Sequence, residues 1–438
     1  MGLRVGAGLA AGALVASLLG VAAAAPASAA TTTVNCPSGD LQSAINAAAA
    51  GTNVYVTGTC TGTFTIPKNL TLIGPAILDG GGNGPVVTVP GGVIAKLSAL
   101  TVQNGNTPLA GTGFGTVGGG GISNAGNLTL SNTTVTNNQS SVAVTGSSTT
   151  APGCSSNCSA VSSDQLIGLA GAGIANVGTL SLTSSTVKNN TASGTGNLTQ
   201  TVSPSCTDNC SVAATHVVAG NAGGGILNLG GTVNLTSSTV SGNTATGSGT
   251  LHMNQSASCN SNCTVRIDGT ELGDAGGGIL NHAGTLNVNS STVSGNTTSA
   301  TESLSITQGT SCGSGPNCSV SATAVAVGGG GGIFNDGTLN VTSSNVVSNS
   351  SNTDGGGIQN SFSFSNPGAV ATVKSSNISN NTAAGSGGGV ENLSTMTLKS
   401  NTITGNSAAS GGGVLNSGSL TQSSNTFSGN TPNNCTGC

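Results

Sequence analysis

The chain has 438 residues but only 7 Lys and Arg and 11 Asp and Glu, where an ordinary soluble domain would carry charge on roughly a quarter of its residues. Gly accounts for 73 positions without a G-X-Y period, Trp is absent and Tyr55 is the single tyrosine, which excludes collagen and an aromatic-rich core. A formal net charge of −4 with scattered cations leaves no electrostatic footprint for nucleic acid or an anionic membrane surface.

Residues 1–29 have one early cation, Arg4, an apolar run from Val5 through Ala25, and then Pro26-Ala27-Ser28-Ala29, a small-residue cleavage pattern. This predicts a secretory signal peptide rather than a membrane anchor, because the run is mostly Ala and Gly and no stop-transfer flank follows. The mature chain is expected to be secreted, extracellular or at the cell surface, without membrane insertion. Residues 30–118 read as an N-terminal cap and irregular first coils. Leu41, Ile45, Ala48 and Ala49 have helical spacing, with Ser38 placed to cap the start and Gly51 the end. A short helix there would lid the open end of a stack, and Cys36 and Cys60 would pin it.

Residues 119–438 are repeats. A Gly-rich phrase followed by Ile or Val, any residue and Asn occurs eight times, with Ile122, Ile174, Ile226, Ile279, Ile333, Ile358, Val390 and Val414 as apolar members. Two residues on stand Asn124, Asn176, Asn228, Asn281, Asn335, Asn360, Asn392 and Asn416. A second apolar column runs through Val135, Val187, Val240, Val293, Val346, Ile378, Ile403 and Phe427, each followed three residues later by Asn138, Asn190, Asn243, Asn296, Asn349, Asn381, Asn406 and Asn430. Between the columns lie alternating segments such as Leu286-Asn-Val288, which read as strands. One unit cannot bury its apolar face, whereas stacked units can, at a rise of about 4.8 Å. The fold class expected is all-β: a parallel β-helix, or solenoid, with a capping helix. The Asn columns suit corners, since Asn tolerates left-handed backbone and its amide can bond to the copies above and below.

The Ile/Val markers are spaced 52, 52, 53 and 54, then 25, 32 and 24 residues apart. The first four intervals therefore hold inserts, each with one cysteine pair: Cys154 with Cys158, Cys206 with Cys210, Cys259 with Cys263 and Cys312 with Cys318. With Cys435 and Cys438 these read as disulfides in an exported chain, since no pair has partners at zinc spacing. Self-paired hairpins would need about 9.6 Å per coil where the coil advances about 4.8 Å, so they would not stack flat. A two-layered fin, outgoing strands on outgoing and returning on returning, keeps the rise and is preferred to an additional full coil, with disulfides at the tips.

Leu41-Gln-Ser-Ala-Ile45, Gly62-Thr-Phe64, Leu70-Thr-Leu-Ile-Gly74 and Leu78-Asp-Gly80 resemble the opening of pectate-lyase-like right-handed parallel β-helix proteins. The Gly-rich phrases, with Phe427-Ser-Gly-Asn430, are similar to the repeats of polymorphic outer-membrane adhesins, although the other seven copies have Val or Ile at the Phe position. The resemblance covers nearly all of the mature chain and implies a right-handed coil. It implies little about activity, because this fold hosts lyases, hydrolases, adhesins and spacers. The membrane barrel of the adhesins is not expected.

Enzymes that resemble this fold use clustered carboxylates for calcium and a nearby base. The basic residues Lys68, Lys96, Lys188, Arg266, Lys374 and Lys399 are dispersed, and the one dense charged group is Arg266, Asp268, Glu271 and Asp274. Asp268, Glu271 and Asp274 form a speculative calcium site; a solvated patch on the third insert is the plainer reading. His216, His252 and His282 lie in different units and read as ordinary surface residues. No catalytic residue or resident cofactor is expected. Thr134, Thr186, Thr239, Thr292, Thr402 and Thr426 precede the second column and should form an outward hydroxyl row. The reading that results is a non-enzymatic secreted or cell-surface β-helix of adhesive or structural type, whose partner is an unidentified surface, protein or polysaccharide. A polysaccharide lyase or hydrolase, and an ice-binding or crystalline-surface-binding protein, are the alternatives.

Overall fold

Alternating apolar and polar residues over three to five positions give each short strand one face that only neighbouring copies can cover. In the computed structural model, which describes residues 31–111, 116–150, 153–154, 158–203, 205–312, 319–361 and 368–438, those copies stack as a right-handed parallel β-helix. Among the described residues the strands form three sheets, sheet 1 of 20 strands, sheet 2 of 11 and sheet 3 of 13, and every paired ladder is parallel. Residues 1–30, which include the expected signal peptide, lie outside the described residues.

At the N-terminus Thr31–Asn35 pairs with Asn53–Thr61, and the helix Leu41–Ala47 buries Leu41 and Ile45 on the first coil. Asp40, not Ser38, caps this helix, its Oδ1 accepting from Ser43 N at 3.0 Å. Ser38 Oγ turns back to Asn35 O instead, at 3.0 Å, because the helix begins two residues later than the spacing suggested. Its C-cap is Ala48; Gly51, at φ 82°, makes the following turn. Cys36 is bonded to Cys60 and Cys435 to Cys438, with Cα separations of 5.1 and 6.0 Å.

Both apolar columns pair rung by rung, Ile226 with Ile279 and Val240 with Val293 for instance, and both are fully buried until Phe427 at the last rung. Both Asn columns are hydrogen-bonded ladders. In the first, each Nδ2 donates to Oδ1 of the next copy at 2.6–2.8 Å, from Asn124 to Asn416. In the second the distances are 2.9–3.0 Å, from Asn138 to Asn430. The left-handed backbone falls not on these asparagines but on two other columns, one just before the second Asn column, Asn137, Asn189, Gly242, Gly295, Ser348, Asn380, Gly405 and Gly429, and one at the preceding corner, Asn132, Ser184, Ser237, Ser290, Ser343, Ser375, Ser400 and Ser424. That leaves the ladder amide aimed inward while its neighbour makes the corner. Close approach sets the Gly-rich phrase: a Cβ on Gly225 would lie 2.6 Å from Gly278 O and 2.9 Å from Asn243 Nδ2.

A third ladder went unread in the sequence. Backbone N–H groups of Thr133, Ser185, Ser238, Ser291, Ser344, Ser376 and Asn401 each donate to a side-chain oxygen on the next rung, at 2.9–3.2 Å.

Sheet 3 is the two-layered fin. Its outgoing strands pair with outgoing ones, Gln139–Thr150 with Thr191–Val202 and onward, and its returning strands with returning ones, Cys158–Gly171 with part of Ser205–Gly223. Between the layers lies a separate core with Val144, Leu198, Val202, Val218, Leu251 and Met253. The other face of the returning layer covers sheet 2, where Leu169, Val217 and Ala219 pack on Leu227, Leu280 and Phe334. The backbones of Cys154, Cys206, Cys259 and Cys312 stand on successive rungs, as do those of Cys158, Cys210 and Cys263. The side chains of the internal cysteines, and so their pairing, lie outside the described residues.

Candidate functional site

Sheet 2 carries its fully inward residues at the Ile and Asn positions, and alternation turns the residues between and after them toward the fin. Leu280 and His282 thus share the outward face of Ile279–His282, and Phe334 and Asp336 share that of the next rung. His282 Nδ1 and Asp336 Oδ2 are 2.6 Å apart. Asp336 Oδ1 also accepts from the N–H of Ala283, a residue at φ 51°, at 2.6 Å, which fixes the carboxylate over the preceding turn. Asp274 arrives from the root of the third insert's returning strand, its N–H donating to Asn221 Oδ1 at 3.2 Å. One ligating atom from each of Asp274, His282 and Asp336 lies within 4.8 Å of the others. Both aspartates are 0% exposed and the His282 side chain is 13% exposed. Burial disfavours the imidazolium, but the hydrogen bond to Asp336 and its charge outweigh burial and hold the pKa above the usual histidine value.

Of the speculative cation site, then, Asp274 meets His282 and Asp336. The side chains of Asp268 and Glu271 lie outside the described residues; their backbones sit opposite Thr323 and Ala326 on the next fin rung. Arg266 is exposed on the fin. His282 corrects the expectation of an ordinary surface histidine, since the returning layer covers sheet 2 at this point. His252 is exposed, and the side chain of His216 is outside the described residues. Asp336 drew no notice in the sequence because its partners are one coil away; the column of residues after each ladder Asn would have revealed it.

A second buried group lies on the rungs without inserts. Gln359 and Glu391 occupy adjacent rungs of sheet 2, and Gln359 Nε2 donates to Glu391 Oε2 at 2.8 Å. Burial and the charge of Asp354 push Glu391 up to about 8, against the opposing effect of the Gln359 bond. At neutral pH it is mainly the uncharged acid. Asp354 Oδ1 in turn accepts from Ser386 N at 2.6 Å.

The broad exposed surface is the outer face of sheet 1. Thr134, Thr186, Thr239 and Thr292 stack there in register; Asn345 and Asn377 continue the column, and Thr402 and Thr426 complete it. A parallel column holds Thr129, Ser181, Asn234, Asn287, Asn340, Thr372, Thr397 and Thr421. Lysines stand on this face as well: Lys96 is in register with Thr129, Lys188 ends the strand Thr186–Lys188, and Lys374 and Lys399 share adjacent rungs two residues beyond Thr372 and Thr397. Lys68, in the bend before Leu70, is taken up by the carbonyls of Asn46 and Ala48, both at 2.8 Å.

No protein-family model, curated protein or solved structure matches the chain. Among the described residues no helix is long and apolar enough to cross a membrane.

Proposed function

We propose that the protein is a non-enzymatic, exported β-helix of adhesive or structural type that meets its partner through flat hydroxyl- and amide-bearing faces outside the cell. One contrast carries this reading: the carboxylates Asp274, Asp336 and Glu391 are buried, at 0%, 0% and 4% exposure, while the open face of sheet 1 is a grid of Thr, Ser and Asn broken by a few lysines. Turnover of a polymer needs titratable groups that the substrate can reach, whereas adhesion needs a repeated surface and a rigid support. The test is to assay the purified mature chain on acidic plant and microbial polysaccharides, with and without calcium, and to measure its co-sedimentation with cells and insoluble polymers. No release of sugar and saturable sedimentation are expected. Calcium-dependent release of unsaturated sugar, lost when Arg266, Asp268, Glu271 and Asp274 are changed to Ala or Asn, would overturn the reading.

A polysaccharide hydrolase is the second reading, favoured by one observation: Glu391 is an acid kept protonated near neutrality beside the carboxylate of Asp354, which is the condition of a general acid. Hydrolysis by the wild-type chain that disappears in Glu391→Gln would place this reading first.

A further inference from the structure

We propose that Asp274, His282 and Asp336 bind one divalent transition-metal ion, with zinc as the reference case, and that this ion ties the root of the third insert to two successive coils. The inference does not depend on the functional reading above.

The donor set is two carboxylates and one imidazole, so a divalent ion brings the group close to neutrality, the condition for charge held in so buried a place. The nitrogen donor selects against calcium, which takes six to eight oxygens in an open shell, and in favour of zinc or a neighbouring metal in four-coordinate geometry. With metal–ligand bonds of about 2.1 Å, tetrahedral ligand atoms stand about 3.4 Å apart. The 2.6 Å contact between His282 and Asp336 therefore opens by less than about 1 Å, and the widest separation, within 4.8 Å, closes by about 1.4 Å at most. These are side-chain rotations, since the backbone positions are fixed by sheet pairing: Asp274 precedes the rung of Ala275 on Ala222, and His282 pairs with Leu229. The ion sits between Asp274, His282 Nδ1 and Asp336 Oδ2, so that protein atoms fill three positions and water takes the fourth. The turn after His282 also orients a ligand: the N–H of Ala283 holds Asp336 Oδ1, leaving Oδ2 toward the imidazole. Leu280 and Phe334, fully buried on the same outward face, keep the surroundings apolar.

The neighbouring coils provide substitutions that the fold already accepts. Asn221 occupies the rung next to Asp274, Leu229 the rung next to His282, and Ser361 follows the ladder asparagine Asn360 as Asp336 follows Asn335. Asp274→Asn, His282→Leu and Asp336→Ser each copy an adjacent rung and should preserve the coil.

The mature chain, stripped with chelator, is titrated with zinc chloride by calorimetry, and the thermal midpoint is followed with and without the metal. One equivalent should bind, the midpoint should rise, and chelator should reverse the rise. Each single variant should weaken binding by about 100-fold or more, with far-ultraviolet circular dichroism unchanged. Calcium should neither bind there nor displace zinc. Cobalt added to the wild-type chain should give the visible bands of a four-coordinate ion and lose them to one equivalent of zinc, a readout that needs no variant to fold. Absence of stoichiometric binding, a cobalt spectrum of the hexaaqua ion, or full binding by the triple variant would overturn the proposal.

Discussion

Asn243 is the clearest place to measure what the inner ladders contribute. It is fully buried; its Oδ1 accepts from Asn190 N at 3.0 Å and Asn190 Nδ2 at 2.9 Å, and its Nδ2 donates to Val187 O at 3.1 Å and Asn296 Oδ1 at 2.9 Å. Asn243→Ala removes all four contacts and leaves the Asn190 N–H and the Val187 carbonyl without this side chain in an interior that water does not reach. At about 1–3 kcal/mol for each stranded buried group, and with the small void added, the loss should be about 4 kcal/mol. Asn287→Ala is the matched control: Asn287 also sits in an amide ladder, donating to Asn234 at 2.8 Å and accepting from Asn340 at 2.9 Å, but on the partly exposed outer face. There water replaces the lost partners and the cost should stay under about 1 kcal/mol. Because repeat arrays depart from two-state unfolding, urea denaturation is to be paired with native-state hydrogen exchange at the amides of the coils on either side. Equal losses in the two variants would refute the argument that burial of the ladder, rather than the ladder itself, sets its worth.

Val240→Asp should yield no folded chain, since a charge would enter a fully buried column with no partner, whereas Thr239→Ala on the outer face should change stability by about 0.5 kcal/mol or less; circular dichroism and thermal midpoints check both. Glu391 should make the fold lose stability as pH rises. Its folded value of about 8 lies above the ordinary 4.5, so the native state holds a proton that the unfolded chain releases between those values. The contribution is whole below pH 4.5, declines through the window by about 5 kcal/mol at the ceiling, and is flat above about 8. Glu391→Gln should flatten that profile in urea titrations at pH 5, 6, 7 and 8, and parallel profiles for the two proteins would count against the assignment.

The two apolar and two Asn columns were legible in the sequence because every coil keeps Asn two residues after the first apolar member and three after the second, whatever the distance to the next copy. Arithmetic on strand widths excluded stacked hairpins, since two widths do not fit on one rise, but left a full extra coil as the alternative to the fin that the strand pairing shows. The hydroxyl ladder was not: its members change from Thr133 to Ser185 to Asn401, and Ser is so common in this chain that one more column of it carries no signal. Ser38 was the wrong cap because composition and spacing alone do not locate the first helical turn to within two residues. The candidate site was only half legible for a related reason. Asp274 stands close to Asp268 and Glu271 in sequence, while its partners His282 and Asp336 come from the same coil across sheet 2 and from the coil above. In a solenoid the informative neighbour of a residue is one full unit away, and inserts of about 28 residues hide that distance.

The shared rise of coil and fin has an evolutionary consequence. Excising residues 190–242 would join Asn189 to Asn243 and bring Asn138 against Asn243, Ile174 against Ile279 and Val187 against Val293, each the same residue type as the partner it lost. The fin would close over the gap as well, with Gln139–Thr150 meeting the strand that begins at Thr244, and the cysteines would leave as a pair, Cys206 with Cys210. Unequal recombination between such units therefore changes the reach of the molecule in whole steps while the apolar and Asn columns keep their contact types; fin positions such as Thr150 and Leu166 change partner type, from Val202 to Gln255 and from Val218 to Glu271. Length is the property that this architecture leaves most open to inheritance.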